Sequence, residues 1–176
     1  GMGDTLGGIT IILVLGGMIG RFLEHSGGGR VLAEWFLDRF GDRYSAWAVL
    51  AVSFLIGLPI FFDVAFIIMA PIIWNLAKKS KKSMLYYGLP MGAALGVVHG
   101  LVPPHPPPVA AAGAIGADIG QVVVWGILVS IPMTIVSGIF WGTWISRKIF
   151  VPVPEIADAM AAHVEEGEDS MAPPSV

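Results

Sequence analysis

The chain has 176 residues, of which 55% are hydrophobic and 13% charged, with 23 glycines outside that hydrophobic count. Soluble domains carry about 25% charge, and a globule this small has too much surface to cover with half of that, so lipid must be the solvent over most of the chain. No basic stripe offers itself to nucleic acid, and the absence of cysteine excludes disulfides, thiolate metal sites and cysteine catalysis. The net charge of −3 averages two unlike parts: residues 155–176 hold six acids and no Lys or Arg, and the remainder is net positive.

Residues 5–20 are uncharged, and a first crossing is expected over 5–23, with Arg21 snorkelling at its end. No charged n-region or cleavage site precedes it, so it is not read as a signal peptide. A chain that opens on Gly1 reads as a fragment or an internal excerpt. In 29–43, Leu32, Trp35, Phe36 and Phe40 recur at helical spacing while Arg30, Glu34, Asp38 and Asp42 fall elsewhere. Such a helix lies in the headgroup plane or packs on protein.

Residues 44–77 contain one charge, Asp63. The stretch is too long for one crossing and marginal for two. Lys78, Lys79, Lys81 and Lys82 follow it, Arg147 and Lys148 end the last apolar stretch, and Arg21, Arg30, Arg39 and Arg43 surround 24–44. The positive-inside rule puts such short basic loops in the cytoplasm. The stretch then begins and ends on one side, as a re-entrant hairpin over 45–77 interrupted at Gly57-Leu58-Pro59 and Asp63. Two tilted crossings, or one long crossing with 24–44 outside, are the alternatives.

Residues 83–146 contain Asp118 as their only charge, with His99 and His105. A broken helix is expected over 84–118 and a last span over 121–145. Gly88, Gly92, Gly96 and Gly100 form a bare stripe for close helix approach, and Gly138 and Gly142 form a second small-residue pair. The run Pro103-Pro104-His105-Pro106-Pro107-Pro108 is expected to be non-helical, with helix resuming over 109–118. Backbone of that kind is tolerated at membrane depth only when buried in protein or lining a wet cavity. The fold class is therefore an all-α polytopic membrane protein with a re-entrant helical hairpin and a broken transmembrane helix over 1–154. A solvated acidic tail or loop follows over 155–176.

Ionisable groups within a membrane are costly and functional by default. Asp63, His99, Gly100 and His105 are the candidate substrate- or proton-binding residues. Asp63 could instead cap the run 64–74, and either His could simply pack. As His⁺, either imidazole could pair with an anion. The two histidines lack a third ligand at metal spacing, so no metal is expected. Asp118 belongs near the water interface. The glycine run Ser26-Gly27-Gly28-Gly29 continues into Arg30-Val31, without the Lys and hydroxyl of a phosphate loop, so neither ATP-driven transport nor a cofactor is expected. Interrupted helices offer anions an N-terminus and cations a C-terminus, and a site without permanent positive charge points to coupled symport.

Gly57-Leu58-Pro59-Ile60-Phe61-Phe62-Asp63-Val64 with Ala70-Pro71, and His99-Gly100-Leu101-Val102-Pro103-Pro104-His105-Pro106, resemble the gluconate permease family of bacterial proton symporters. The opening Gly1-Met2-Gly3-Asp4-Thr5-Leu6-Gly7, the Ser26-Gly27-Gly28 region and the ending around Pro152-Val153-Pro154 are similar to it. One departure is Pro107, where the family usually has Gly. The resemblance implies import of gluconate or a related sugar or hydroxy acid, driven by protons across the bacterial inner membrane, by a multi-pass carrier built from two inverted halves. This chain then corresponds to one half, its partners being a small organic anion, protons, the lipid bilayer and the missing second half. A homo-oligomer is compatible with it. The competing classes are an intramembrane enzyme using Asp63 with a histidine, which lacks a nucleophile or metal triad, and a structural membrane subunit.

Overall fold

The computed structural model describes residues 44–154 continuously, preceded by Gly7, Thr10, Ile11, residues 14–19, Phe22, residues 25–27, Val31 and Trp35. The described residues of the expected span 5–23 are helical. Most of the expected interfacial helix 29–43 and all of the tail 155–176 lie outside the described residues. Among those described there is no strand. The elements are α1 (Ser45–Gly57), α2 (Phe62–Ser80), α3 (Met84–Leu101), α4 (Pro106–Ile115), α5 (Ile119–Thr134), a π-helical segment (Ile135–Trp141) and α6 (Gly142–Lys148).

Helix α3 is the axis on which the others pack. Helix α1 runs parallel to it: Ser45 Oγ lies 3.2 Å from Tyr87 Oη, and Gly57 lies against Leu95 and Val98 at the other end. Helix α2 returns antiparallel, from Phe62, beside the His99 ring, to Ser80, whose Oγ accepts from Tyr87 Oη at 3.0 Å. The last span is antiparallel as well, with Gly126 against Leu101 and Val102, and Gly142 against Leu89 and Pro90. Val49, Val52, Ile56, Ile60, Met69, Ile73, Met91 and Leu95 fill the core among these helices. The opposite face of the last span exposes Trp125, Leu128, Met133, Phe140, Trp141 and Trp144, a surface suited to lipid or to further protein rather than water. Two stretches, Met84–Ile115 and Ile119–Lys148, are long and apolar enough to cross a membrane.

The two glycine stripes behave differently. A Cβ at Gly88, Gly92, Gly96 or Gly100 would meet nothing within 4 Å, so the stripe expected to take a close neighbour has none within the described residues. Close approach occurs instead along Gly126, Ser130, Thr134, Gly138 and Gly142, which recur every four residues and are all buried. A Cβ at Gly126 would collide with the Leu101 carbonyl oxygen, and one at Gly138 would lie 2.9 Å from Leu50 Cδ1 and 3.0 Å from Pro90 Cα. Missing side chains there let α5 and α6 lie directly on α3. Pro132 removes a helical N–H just before the π segment. Hydroxyls of Thr134, Ser137 and Thr143 bond carbonyls three or four residues back through the same stretch.

The proline run is a second difference. Residues 103–105 break the helix as expected, but α4 begins at Pro106 rather than beyond Pro108. The first helical residues need no N–H, because those donors have no intrahelical acceptor. Prolines with a fixed φ near −65° are therefore well placed there. Pro107 falls within this first turn. Helix α4 ends at Gly116, whose φ of 68° is left-handed, and Ala117 N–H closes the turn on the Ala112 carbonyl.

At the lysine-rich end, polar groups are used to close the fold. Ser83 caps α3 by accepting from Leu85 N–H. Its hydroxyl also donates to the Ile149 carbonyl and accepts from Val151 N–H. Met84 N–H bonds the Val151 carbonyl at 2.9 Å. The start of α1, the end of α2, the start of α3 and the end of α6 are thus gathered at one end of the bundle.

Candidate functional site: two helix breaks in contact

At the opposite end the two interruptions meet. Helix α1 ends at Gly57, where a Cβ would fall 3.1 Å from Leu95 Cδ2, and Pro59 has no N–H with which to continue it. Leu58, Pro59 and Ile60 turn the chain, and Phe61, with extended backbone (φ −61°, ψ 150°), leads into α2. Helix α3 ends at Leu101, and His105, also extended (φ −64°, ψ 146°), leads into α4. The imidazole Nε2–H of His105 donates to the Gly57 carbonyl at 2.7 Å. That carbonyl is one of those a helix C-terminus leaves without a partner. One side chain therefore satisfies the end of one broken element from the break in the other.

Around this bond the rings cluster. The His99 and His105 centroids are 4.8 Å apart. Phe61 stands 5.8 Å from His105 and 6.4 Å from His99, and Phe62 stands 6.4 Å from His99. His105 is 1% exposed. The Nδ1 atoms of both histidines are buried without a hydrogen-bond partner. Native interiors rarely leave such groups unpaired.

The helix starts at the site differ in what they offer an anion. Helix α4 opens on Pro106, Pro107 and Pro108, which have no N–H to donate. Helix α2 opens on Phe62, Asp63 and Val64, whose N–H groups precede the first intrahelical bond, and its N-terminus carries partial positive charge. Asp63 sits in this first turn, exposed, and makes no hydrogen bond or ion pair among the described residues. The capping alternative for Asp63 is not what the structure has, since the cap position is Phe61 and no side chain caps the helix. Gly100 is exposed with open space around it. Asp118 is the residue that caps: its Oδ1 accepts from Gln121 N–H at 2.9 Å at the start of α5.

The structure thus joins His99 and His105 in one cluster and leaves Asp63 and Gly100 on the surface of this chain beside it. It adds groups beyond those four candidates. Gly57 contributes its carbonyl. Gly16 lies where a Cβ would come 2.5 Å from Pro104 Cβ, and Gly17 where one would come 3.5 Å from the Phe61 ring. The adjacent glycines in an otherwise bulky apolar run were the signal for this approach of the first helix to both breaks. Among the described residues, no group of three His, Asp or Glu side chains could hold a metal.

The described residues form helices and no strand, and two stretches have membrane-crossing length, one of them interrupted. The GntP family permease profile matches residues 1–176, and the chain belongs to that family. It is 45% identical over 182 residues to the inner membrane permease YgbN of Escherichia coli, covering 100% of this chain and 40% of that protein. It is 42% identical over 168 residues to a gluconate permease of Bacillus licheniformis, covering 96% and 37%. A gluconate permease of Pseudomonas aeruginosa is 38% identical over 170 residues, covering 96% and 38%. The chain therefore spans about two fifths of the length of the curated relatives it matches. These relatives are named as permeases, not enzymes. No solved structure matches the chain.

Proposed function

We propose that this chain is one half of a proton-coupled carrier that imports gluconate or a related sugar acid across the bacterial inner membrane, and that the two breaks line its substrate site. The observation that carries this is the His105–Gly57 bond, which joins the breaks beside two buried imidazole nitrogens left without partners. The names of the relatives supply the substrate class. Depth supports the reading. Ser45 and Ser80 both reach Tyr87 at the lysine-rich end, which the positive-inside rule assigns to the cytoplasm. Helix α1 has 13 residues, or about 20 Å at 1.5 Å per residue, against a hydrocarbon core of about 30 Å. A hairpin of α1 and α2 that enters and leaves at that end is re-entrant, and its tip stops within the membrane.

Coupling follows from electrostatics at the start of α2. An anionic solute and the Asp63 carboxylate compete for the same positive helix end. Protonation of Asp63 removes the competitor, so solute anion and proton load together, and release of either favours release of the other. The test is uptake of labelled gluconate by the complete carrier in proteoliposomes under an imposed pH gradient. Asp63→Asn is expected to bind gluconate yet lose accumulation driven by the gradient. Coupled uptake unchanged in that variant would remove Asp63 from the mechanism.

A further inference from the structure

We propose that His105 recognises a hydroxyl group of the solute through Nδ1, and that the carboxylate lies at the other end of the site, toward the start of α2. This deepens the carrier reading and rests on it. The Gly57 carbonyl can only accept, so the His105 nitrogen 2.7 Å from it carries the hydrogen. In the neutral ring the remaining nitrogen, Nδ1, is then an acceptor only. A charged ring is disfavoured here: His105 is 1% exposed, its ring neighbours are Phe61 and a second imidazole, and no carboxylate pairs with it among the described residues. A buried unpaired cation would be costly.

Nδ1 is buried and has no donor. A solute carboxylate has no hydrogen to give it and would set lone pairs against a lone pair. A solute hydroxyl supplies the missing donor. The prolines at 106–108 offer no N–H on that side, whereas Phe62, Asp63 and Val64 do on the other. Polarity alone therefore orients a hydroxy acid, with its hydroxyls at the imidazoles and its carboxylate at α2. The site then rejects an unsubstituted carboxylic acid of equal length, because that solute leaves a buried acceptor unpaired.

The experiment is competition against labelled gluconate uptake by the complete carrier in proteoliposomes. The competitors are gluconate, gluconate analogues each lacking one hydroxyl, and hexanoate. In the unmodified carrier, one of the analogues is expected to compete roughly tenfold more weakly than gluconate. His105→Phe keeps the bulk of the ring and offers no acceptor in place of Nδ1, and it also removes the bond to Gly57. In that variant gluconate should weaken by the same factor, the penalty for the missing hydroxyl should vanish, and hexanoate should be unchanged. A penalty undiminished in the variant, or hexanoate weakened as much as gluconate, overturns the assignment. If the variant does not assemble, nitrogen-15 spectra of histidine-labelled unmodified carrier decide. The His105 Nδ1 signal should move to the hydrogen-bonded range with gluconate and not with hexanoate, and equal responses overturn the assignment. An unmodified carrier that neither transports nor binds gluconate overturns the carrier reading itself, a result distinct from the others.

Discussion

The two ends of α3 treat polar groups in opposite ways. At the lysine-rich end Tyr87 Oη meets two serine hydroxyls, and the Ser83 hydroxyl makes three bonds, two that fasten the 149–151 segment and one that caps α3. At the other end His105 makes one bond, and two imidazole nitrogens have none. Both regions are buried and rich in side-chain donors and acceptors, so burial alone does not separate them. Satisfaction does. A network in which every group is paired stabilises one arrangement, whereas buried groups left unpaired forgo that stability.

Substitutions at the two ends should therefore fail differently. Tyr87→Phe removes one buried and one partly buried hydrogen bond and is expected to cost about 2 kcal/mol of stability, read as a lowered thermal unfolding midpoint in detergent. Its half-saturating gluconate concentration should stay the same. His99→Ala should do the reverse, weakening gluconate by roughly tenfold, about 1.4 kcal/mol, while the unfolding midpoint holds. The comparison breaks if Tyr87→Phe alters affinity at constant stability, or if His99→Ala merely unfolds the protein.

Much of this was legible before the structure. A lone acid and two histidines in long apolar stretches stand out because charge is expensive in lipid, and the glycine-proline and proline-histidine runs mark interruptions for backbone reasons alone. What was hidden depended on neighbours. The glycines of α3 and the small residues of the last span share the same spacing of four, yet among the described residues only the second set packs against another helix, since the period states that a bare stripe exists and not what faces it. Pro106–Pro108 read as a break because proline is costly inside a helix, but the first turn is the one place where that cost disappears. The role of Gly57 belongs to its carbonyl, which no residue name reveals. Asp63 and Asp118 both precede apolar runs, and only their local backbone decides that the second caps and the first does not.

The most direct test of a solute pocket at the breaks uses the absence of cysteine from these 176 residues, with any cysteine elsewhere in the complete carrier replaced first. Gly100→Cys, at an exposed position with open space beside the His99 cluster, would be made in the complete carrier and treated with a membrane-impermeant thiol reagent. Labelling from the aqueous phase that gluconate slows is the expected result. Labelling confined to lipid-soluble reagents, or untouched by gluconate, would contradict a shared pocket at the two interruptions.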